Sequence, residues 1–250
     1  MAPNVLLLGA TGGNGKLVLG DLVERGCSVR AVARKATALG DLGTHENVTV
    51  IEGSFLDMSP EVFRGYVDGC DAVVSCLGHN LTFRGMFRDP PLCTEAARKV
   101  CTAVESIGRP VKFVMHSSAG CDHPGGGDPR RGRLERLVMR TIRAAVPPHR
   151  DNEDAAAYLW KRSQERQDDP VQWCVVRPDD LVQGDAVSEY RLSETLLNGL
   201  FDARVTTRRN VADFMGRLVT EEASWNEWRG KMPMIVDEQQ SRRPAKPPKQ

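Results

Sequence analysis

The sequence predicts an α/β protein with a doubly wound parallel sheet, and two features of the 250-residue chain lead to this expectation. Short apolar runs alternate with longer segments that carry apolar residues at helical spacing. The first apolar run is followed directly by a glycine-rich segment that leads into a predicted helix. Strands separated by helices are joined by right-handed crossovers, so we expect a parallel sheet with helices on both faces.

The individual elements follow from local patterns. The first strand is predicted at 4–8 and the first helix at 14–25. A long helix is predicted at 90–107, and a closing helix begins with Asn210 as its N-cap. The other predicted strands occupy residues 28–33, 48–52, 71–76, 111–116, 171–176 and 234–236.

Composition narrows the classes of function. The chain has 34 Lys plus Arg and 33 Asp plus Glu, so it lacks the basic excess typical of proteins that bind nucleic acid or anionic membranes. Neither nucleic acid nor a membrane is therefore an expected partner. The expected partner is a small-molecule substrate, and the chain is expected to be a monomer or a homodimer. No run approaches the about 18 apolar residues that a membrane helix needs, and no signal peptide is predicted.

The cysteines indicate a reducing compartment. There are seven of them, an odd number, and none forms a C-x-x-C pair. This pattern favours reduced thiols over a disulfide framework or a metal site. We therefore expect a cytoplasmic protein without a bound metal.

The strongest motif is G-A-T-G-G-N-G, which contains Gly9, Gly12 and Gly15. It lies between the first strand and the first helix, the context in which such glycines bind a dinucleotide. Gly9 allows a tight turn, Gly12 lets the backbone approach a pyrophosphate, and Gly15 lets the helix pack close to the strand. The helix N-terminus supplies unpaired N–H groups for the phosphates. The alternative is a glycine-rich turn without a ligand.

The spacing G-x-x-G-x-x-G resembles the short-chain dehydrogenase/reductase superfamily. The A-T-G-G-N-G form is most similar to its atypical members, the NmrA-like and biliverdin-reductase-B-like NAD(P)-binding Rossmann proteins. The resemblance covers residues 4–236 at the level of element order. It implies that the cofactor lies on a loop formed by Gly9, Thr11, Gly12, Gly13, Asn14 and Gly15.

The end of the second strand, A-V-A-R-K, points to NADP(H). An acidic residue there would bind the ribose 2′-hydroxyl of NAD, whereas an arginine pairs with the 2′-phosphate of NADP. Arg34 occupies this position, Lys35 follows it, and no Asp or Glu occurs between Gly26 and Gly40. The alternative is that Arg34 is an ordinary exposed charge.

The resemblance also assigns the rest of the cofactor site. In the segment G-S-F-L-D, Asp57 is expected beside the adenine, and Leu56 or Phe55 lines its pocket. Further along the chain, the residues under the nicotinamide ribose are expected to be Cys76, Leu77 and Gly78, with His79 and Asn80 facing the reaction space.

The catalytic residues are harder to assign. The fifth strand ends in H-S-S-A-G, so Ser117 and Ser118 are candidates for binding a substrate carbonyl, although a serine there can simply cap a turn. The Y-x-x-x-K motif of the superfamily is absent, and Tyr158 and Lys161 form only Y-x-x-K. Tyr158 has packing as its alternative role. His149 is the candidate proton donor, with a surface histidine as its alternative.

The C-terminal part is predicted to form a small substrate-side region at 179–236 within a single domain, residues 1–240. The basic, Pro-rich segment 241–250 is predicted to be a disordered tail, and 122–133 a loop. The leading hypothesis is an NADPH-dependent reductase that transfers hydride to a small organic substrate. The alternatives are a non-catalytic NADP(H)-sensing protein that exposes an apolar docking patch, or a non-redox isomerase, lyase or cyclase.

Overall fold

The protein is described by a computed structural model that covers residues 2–78, 90–126, 132–199, 202 and 204–238. The strands are β1 (Asn4–Leu8), β2 (Ser28–Ala33), β3 (Val48–Glu52), β4 (Ala72–Ser75), β5 (Val111–His116), β6 (Val171–Pro178), β7 (Asp180–Val182), β8 (Tyr190–Ser193), β9 (Val205–Thr207) and β10 (Met234–Asp237). The helices are α1 (Gly13–Glu24), α2 (Pro60–Val67), α3 (Leu92–Ile107), α4 (Arg133–Ala145), α5 (Pro147–Glu165), α6 (Arg208–Thr220) and α7 (Glu222–Trp228), with a 3-10 helix at Ala36–Thr44.

The main sheet has eight strands in the order β3-β2-β1-β4-β5-β6-β10-β8. All neighbours in it are parallel except β10 and β8, which are antiparallel. The chain runs outward in one direction from β1 to β3 and in the other from β4 to β6. The reversal between β1 and β4 is a topological switch point, where ligands bind at the carboxyl ends of the strands. The predicted doubly wound parallel sheet is confirmed.

Two layers of helices cover the sheet because alternate residues of each strand point to opposite faces. In β1, Leu6 and Leu8 pack towards α2, α3 and α5, whereas Val5 and Leu7 pack towards α1, α6 and α7. Strands that are buried on both faces appear in the sequence as continuous apolar runs, which explains why these strands are predictable.

The C-terminal region adds a two-stranded parallel sheet, β7 with β9, and the antiparallel edge strand β8. Arg177, at the end of β6, is fully buried and ties the region to the sheet. Its guanidinium donates to the carbonyl oxygens of Met232 at 2.7 Å, Cys121 at 3.1 Å and Glu194 at 3.2 Å. A buried charge needs such partners, so Arg177 braces three segments next to the switch-point edge.

Several predicted boundaries differ from the observed ones. β4 is shorter than 71–76, β6 extends two residues beyond 176, and α3 begins two residues after 90. Asn210 is not the N-cap of the closing helix: Thr207 is, and its hydroxyl accepts from the Asn210 N–H. The predicted tail, 241–250, and part of the predicted loop, 127–131, lie outside the described residues. In the described parts of the chain, no helix combines the length and apolarity required to cross a bilayer.

Candidate cofactor site and active site

The turn after β1 lies at the switch point and depends on two glycines. Gly9 has a φ of +78°, a conformation that L side chains rarely adopt, and a Cβ there would stand 2.7 Å from the Cys76 carbonyl oxygen. A Cβ on Gly15 would overlap the carbonyl oxygen of Gly9. The motif therefore packs the start of α1 directly against the ends of β1 and β4.

The N-terminus of α1 has no side-chain cap. Its N-cap residue is Gly12, and the first turn contains no acidic residue. The first N–H groups of a helix lack intrahelical acceptors and lie at the positive end of the helix dipole. The first N–H groups of α1 can therefore bind an anion at the switch point.

A cavity of about 360 Å³ runs from this turn along the carboxyl ends of the neighbouring strands. That volume is in the range of about 300–1,000 Å³ typical of ligand pockets. None of the described residues that line it is acidic. They come from the ends of β1, β2, β3 and β4 and from the start of α3: Leu8, Gly9, Thr11, Gly12, Val32, Ala33, Arg34, Gly53, Ser54, Phe55, Leu56, Cys76, Leu77, Gly78, Pro90 and Leu92.

Most of the expected cofactor residues meet at this cavity. Those that line it are Gly9, Thr11, Gly12, Arg34, Leu56, Cys76, Leu77 and Gly78. Gly13, Asn14 and Gly15 form the first turn of α1 beside it. Lys35 and Asp57 are exposed and do not line it, so the structure does not bring these two side chains to the cavity. His79 and Asn80 lie outside the described residues.

Arg34 lines the cavity directly after the end of β2. No described carboxylate forms an ion pair with it. The nearby acid Glu52, at the end of β3, instead accepts from the Ala36 N–H at 2.8 Å. The Arg34 guanidinium is therefore available to a negatively charged ligand.

The Cys76 thiol, which lines the cavity, is uncharged. Burial raises the pKa of the Cys76 thiol to about 12, so this thiol stays protonated at neutral pH. It is not an activated nucleophile, which would need a lowered pKa.

A second group of polar residues lies beyond β4, after the end of β5. The Ser118 hydroxyl and the His149 ring both lie against Gly120: a Cβ there would stand 3.3 Å from Ser118 Oγ and 3.4 Å from His149 Nδ1. The structure thus brings together two residues that are 31 positions apart in the sequence. Ser117 is only 4% exposed and its hydroxyl faces the Cys121 thiol, so Ser117 is placed beneath this turn and not at its surface.

His149 has a fixed orientation because Glu153 stands one turn further along α5. His149 Nε2 lies 3.3 Å from Glu153 Oε1, which leaves Nδ1 facing Gly120. Arg143 of α4 also pairs with Glu153. Burial opposes the ionisation of Glu153, but its contact with His149 and its hydrogen bond with Arg143 outweigh burial and lower its pKa. Glu153 is therefore a carboxylate that orients the imidazole.

The start of α5 is set by a proline. The helix begins at Pro147, whose fixed φ suits the first helical position. Asp151 lies one turn inside and is 4% exposed. Its carboxylate accepts from the backbone N–H groups of Cys93, at 2.8 Å, and Thr94, at 3.0 Å. Asp151 thus caps α3 and fixes the turn of α5 that carries His149.

Tyr158 and Lys161 are not part of this group. Tyr158 packs against the core on the α3 side, with Arg162 as its hydrogen-bond partner and Cys101 nearby. It lies nine residues beyond His149, which is about 13 Å along a helix. Lys161 is exposed and pairs with Glu165 at 3.7 Å. The expectation that these two residues are catalytic is therefore corrected: the side chains serve packing and the helix surface.

One cluster beside the glycine turn was not predicted. The Asn14 side chain donates to His116 Nε2 at 2.6 Å and accepts from the guanidinium of Arg208. Burial and the neighbouring Arg208 lower the pKa of His116 to about 4, so its ring is neutral. The three residues come from α1, β5 and α6, and no local motif connects Arg208 to the turn.

The sheet order and the glycine turn at its switch point define a Rossmann-type, dinucleotide-binding protein. The chain belongs to the NAD(P)H-binding family, whose model matches residues 9–222. The match confirms an NAD(P)-binding Rossmann protein and is consistent with the expected relation to the atypical short-chain dehydrogenase/reductases. A comparison with curated proteins found no significant match.

Solved structures share the fold along nearly the whole chain. A short-chain dehydrogenase/reductase from Veillonella parvula, in complex with NADP, is similar with a TM-score of 0.70 and 14% identity, over 98% of this chain and 100% of that one. An oxidoreductase from Lactococcus lactis has a TM-score of 0.68 and 19% identity, over 94% and 90%. A candidate NADH-flavin reductase from Streptococcus pneumoniae has a TM-score of 0.63 and 15% identity, over 95% and 100%. At these sequence identities the similarity shows a shared fold only.

Proposed function

We propose that the protein is an NADPH-dependent reductase that transfers hydride to a small organic substrate. The observation that carries the proposal is the cavity lined by both the glycine turn and Arg34, with no acidic residue among its described lining residues. A dinucleotide with a 2′-phosphate matches this distribution of charge, because the glycine turn and Arg34 both favour an anion.

The residues of the cavity bind and orient the cofactor. The N–H groups at the start of α1 bind the diphosphate, and Arg34 pairs with the 2′-phosphate. Leu56 lines the adenine side, and Gly78 lies towards the ribose of the nicotinamide. When bound, the cofactor supplies the hydride, and the protein positions it.

Ser118 and His149 complete the reaction. The Ser118 hydroxyl donates a hydrogen bond to the substrate oxygen. With Nε2 directed at Glu153, the imidazolium of His149 donates a proton from Nδ1 to the oxygen that becomes a hydroxyl. Only the protonated ring has a proton on both nitrogens, so this step uses the imidazolium.

NADPH oxidation with aldehydes, ketones, quinones and flavins tests this function. We expect turnover of at least one class, and a decrease of about 100-fold or more in His149→Asn, which is the range of general acid catalysis. The matched control is Tyr158→Phe on the same helix, which should retain wild-type turnover. Loss in Tyr158→Phe with retention in His149→Asn would contradict these roles.

One observation favours a second candidate function, an NADP(H)-sensing protein that docks on a partner. Helix α4 exposes Leu134, at 66%, and Leu137, at 61%. Arg136 and Arg140 are exposed on the same helix, so the patch suits a partner protein with an acidic surface. NADPH binding without turnover of any class in the substrate panel would favour this function over the reductase.

A further inference from the structure

Arg208 is the first residue of α6 and lies against the glycine turn. A Cβ on Gly13 would stand 3.5 Å from Arg208 Nη1 and 3.6 Å from its Cζ. Gly13 is the first residue of α1. The guanidinium therefore lies beside the helix turn on which the proposed function places the cofactor diphosphate.

The orientation of Arg208 is fixed by the chemistry of its neighbours. A guanidinium can only donate hydrogen bonds, so Asn14 presents its side-chain oxygen to Arg208 and its NH2 group to His116. His116 accepts at Nε2 because its ring is neutral. Two hydrogen bonds thus connect His116, at the end of β5, through Asn14 to the Arg208 guanidinium. They hold the guanidinium at the glycine turn.

The charges at this place are not balanced within the described part of the protein. Arg208 forms no ion pair with a described carboxylate, and the first turn of α1 has no acidic residue. A guanidinium next to the positive end of a helix is unfavourable on its own, because like charges repel. A bound anion would remove this repulsion and accept hydrogen bonds from both.

We propose that Arg208 binds the diphosphate of the cofactor, with Asn14 and His116 as positioning residues. This inference rests on the proposed NADPH binding. It assigns a cofactor contact to the C-terminal region, since Arg208 directly follows β9. Arg34 and Arg208 then bind different groups of the cofactor. Arg34 binds the 2′-phosphate, which only NADPH has, and Arg208 binds the diphosphate that NADPH and NADH share.

Binding titrations with three ligands test these separate roles of Arg34 and Arg208 without any substrate. The ligands are NADPH, NADH and adenosine 2′-monophosphate, which has the 2′-phosphate but no diphosphate. In Arg208→Gln we expect the Kd of both dinucleotides to rise about tenfold or more and that of adenosine 2′-monophosphate to stay unchanged. In Arg34→Gln, we expect weaker binding of NADPH and adenosine 2′-monophosphate but not of NADH. The control is Arg209→Gln, which removes the same charge one residue away and should bind all three as the wild type does.

Two results would overturn the inference. One is an Arg208→Gln protein that binds NADPH as tightly as the wild type. The other is an equal loss for all three ligands, which would mean that Arg208 only braces the turn. Failure of the wild-type protein to bind NADPH would instead overturn the proposed function.

A conservative variant covers the case in which Arg208→Gln does not fold. Arg208→Lys keeps a charge and a donor for Asn14. We expect the ³¹P resonances of the diphosphate in bound NADPH to differ between Arg208→Lys and the wild type, while the 2′-phosphate resonance does not. Identical diphosphate resonances in the two proteins would count against the contact.

Discussion

Gly15 shows how a single missing Cβ positions the cofactor site. A methyl group there would overlap the Gly9 carbonyl oxygen, which is backbone and cannot turn aside. We expect Gly15→Ala to lower the free energy of unfolding by about 1–3 kcal/mol, the usual cost of overpacking, and to abolish NADPH binding. The control is Gly20→Ala in the same helix, where nothing lies within 4 Å of the new Cβ. It should leave NADPH binding unchanged and raise stability by about 0.5–1 kcal/mol, as measured by chemical denaturation.

His116 is expected to give the protein part of its acid sensitivity. Its pKa in the folded state is about 4, below the usual 6.5. Between these values the unfolded chain binds the proton and the folded chain does not, so stability is lost as the pH falls from about 6.5 to about 4. In His116→Gln, the free energy of unfolding should fall less steeply over this range than in the wild type. Equal slopes in denaturation experiments across this pH range would show that His116 is not the group responsible.

At the scale of elements, strands and the first helix were predictable, whereas the start of α5 was not. The strands β1 and β5 are buried on both faces, so each appears in the sequence as a continuous apolar run that indicates a buried strand. The sequence around Asp151 resembles a helix start, but the structure uses Asp151 to cap α3, whose N–H groups are 57 and 58 residues away. A local sequence pattern cannot show that the partners of Asp151 lie in another helix.

The Asp151 cap is a buried polar contact between α5 and α3. Asp151→Ala leaves the N–H groups of Cys93 and Thr94 buried without their acceptor, and we expect a loss of about 2–3 kcal/mol in the free energy of unfolding. The neighbouring Asp154 pairs with Arg143 and Arg150 at the surface. Asp154→Ala should cost about 1 kcal/mol or less, as is usual for exposed ion pairs. Comparable losses in the two variants would contradict the role of Asp151.

At the scale of the whole molecule, the cofactor half and the reaction half differ in how far they can be predicted. The glycine turn, Arg34 and the segment after β4 follow their own strands, so strand order alone brings them to one edge. Ser118 was a candidate for the same reason. Its proximity to His149, and the roles of Glu153 and Arg143, depend on how α4 and α5 pack, which a short motif does not encode.

The cluster at the glycine turn shows the same limit over longer separations. Asn14 lies 102 residues from His116 and 194 from Arg208. The sequence places only Asn14 at the cofactor loop. His116 is a strand-end histidine and Arg208 is one arginine of a basic pair, and no motif links either of them to that loop. The three residues become neighbours only because the chain comes back to the switch point at the start of α6.

The central claim is that this fold binds NADPH through the glycine turn and Arg34. Its most direct test is a titration of the purified wild-type and Arg34→Gln proteins with NADPH and with NADH, followed by cofactor fluorescence. We predict that the wild type binds NADPH at least about tenfold more tightly than NADH, because a charge-assisted contact to the 2′-phosphate is lost with NADH, and that Arg34→Gln removes this preference. Equal affinity of the wild type for the two cofactors, or binding of neither, would contradict the account.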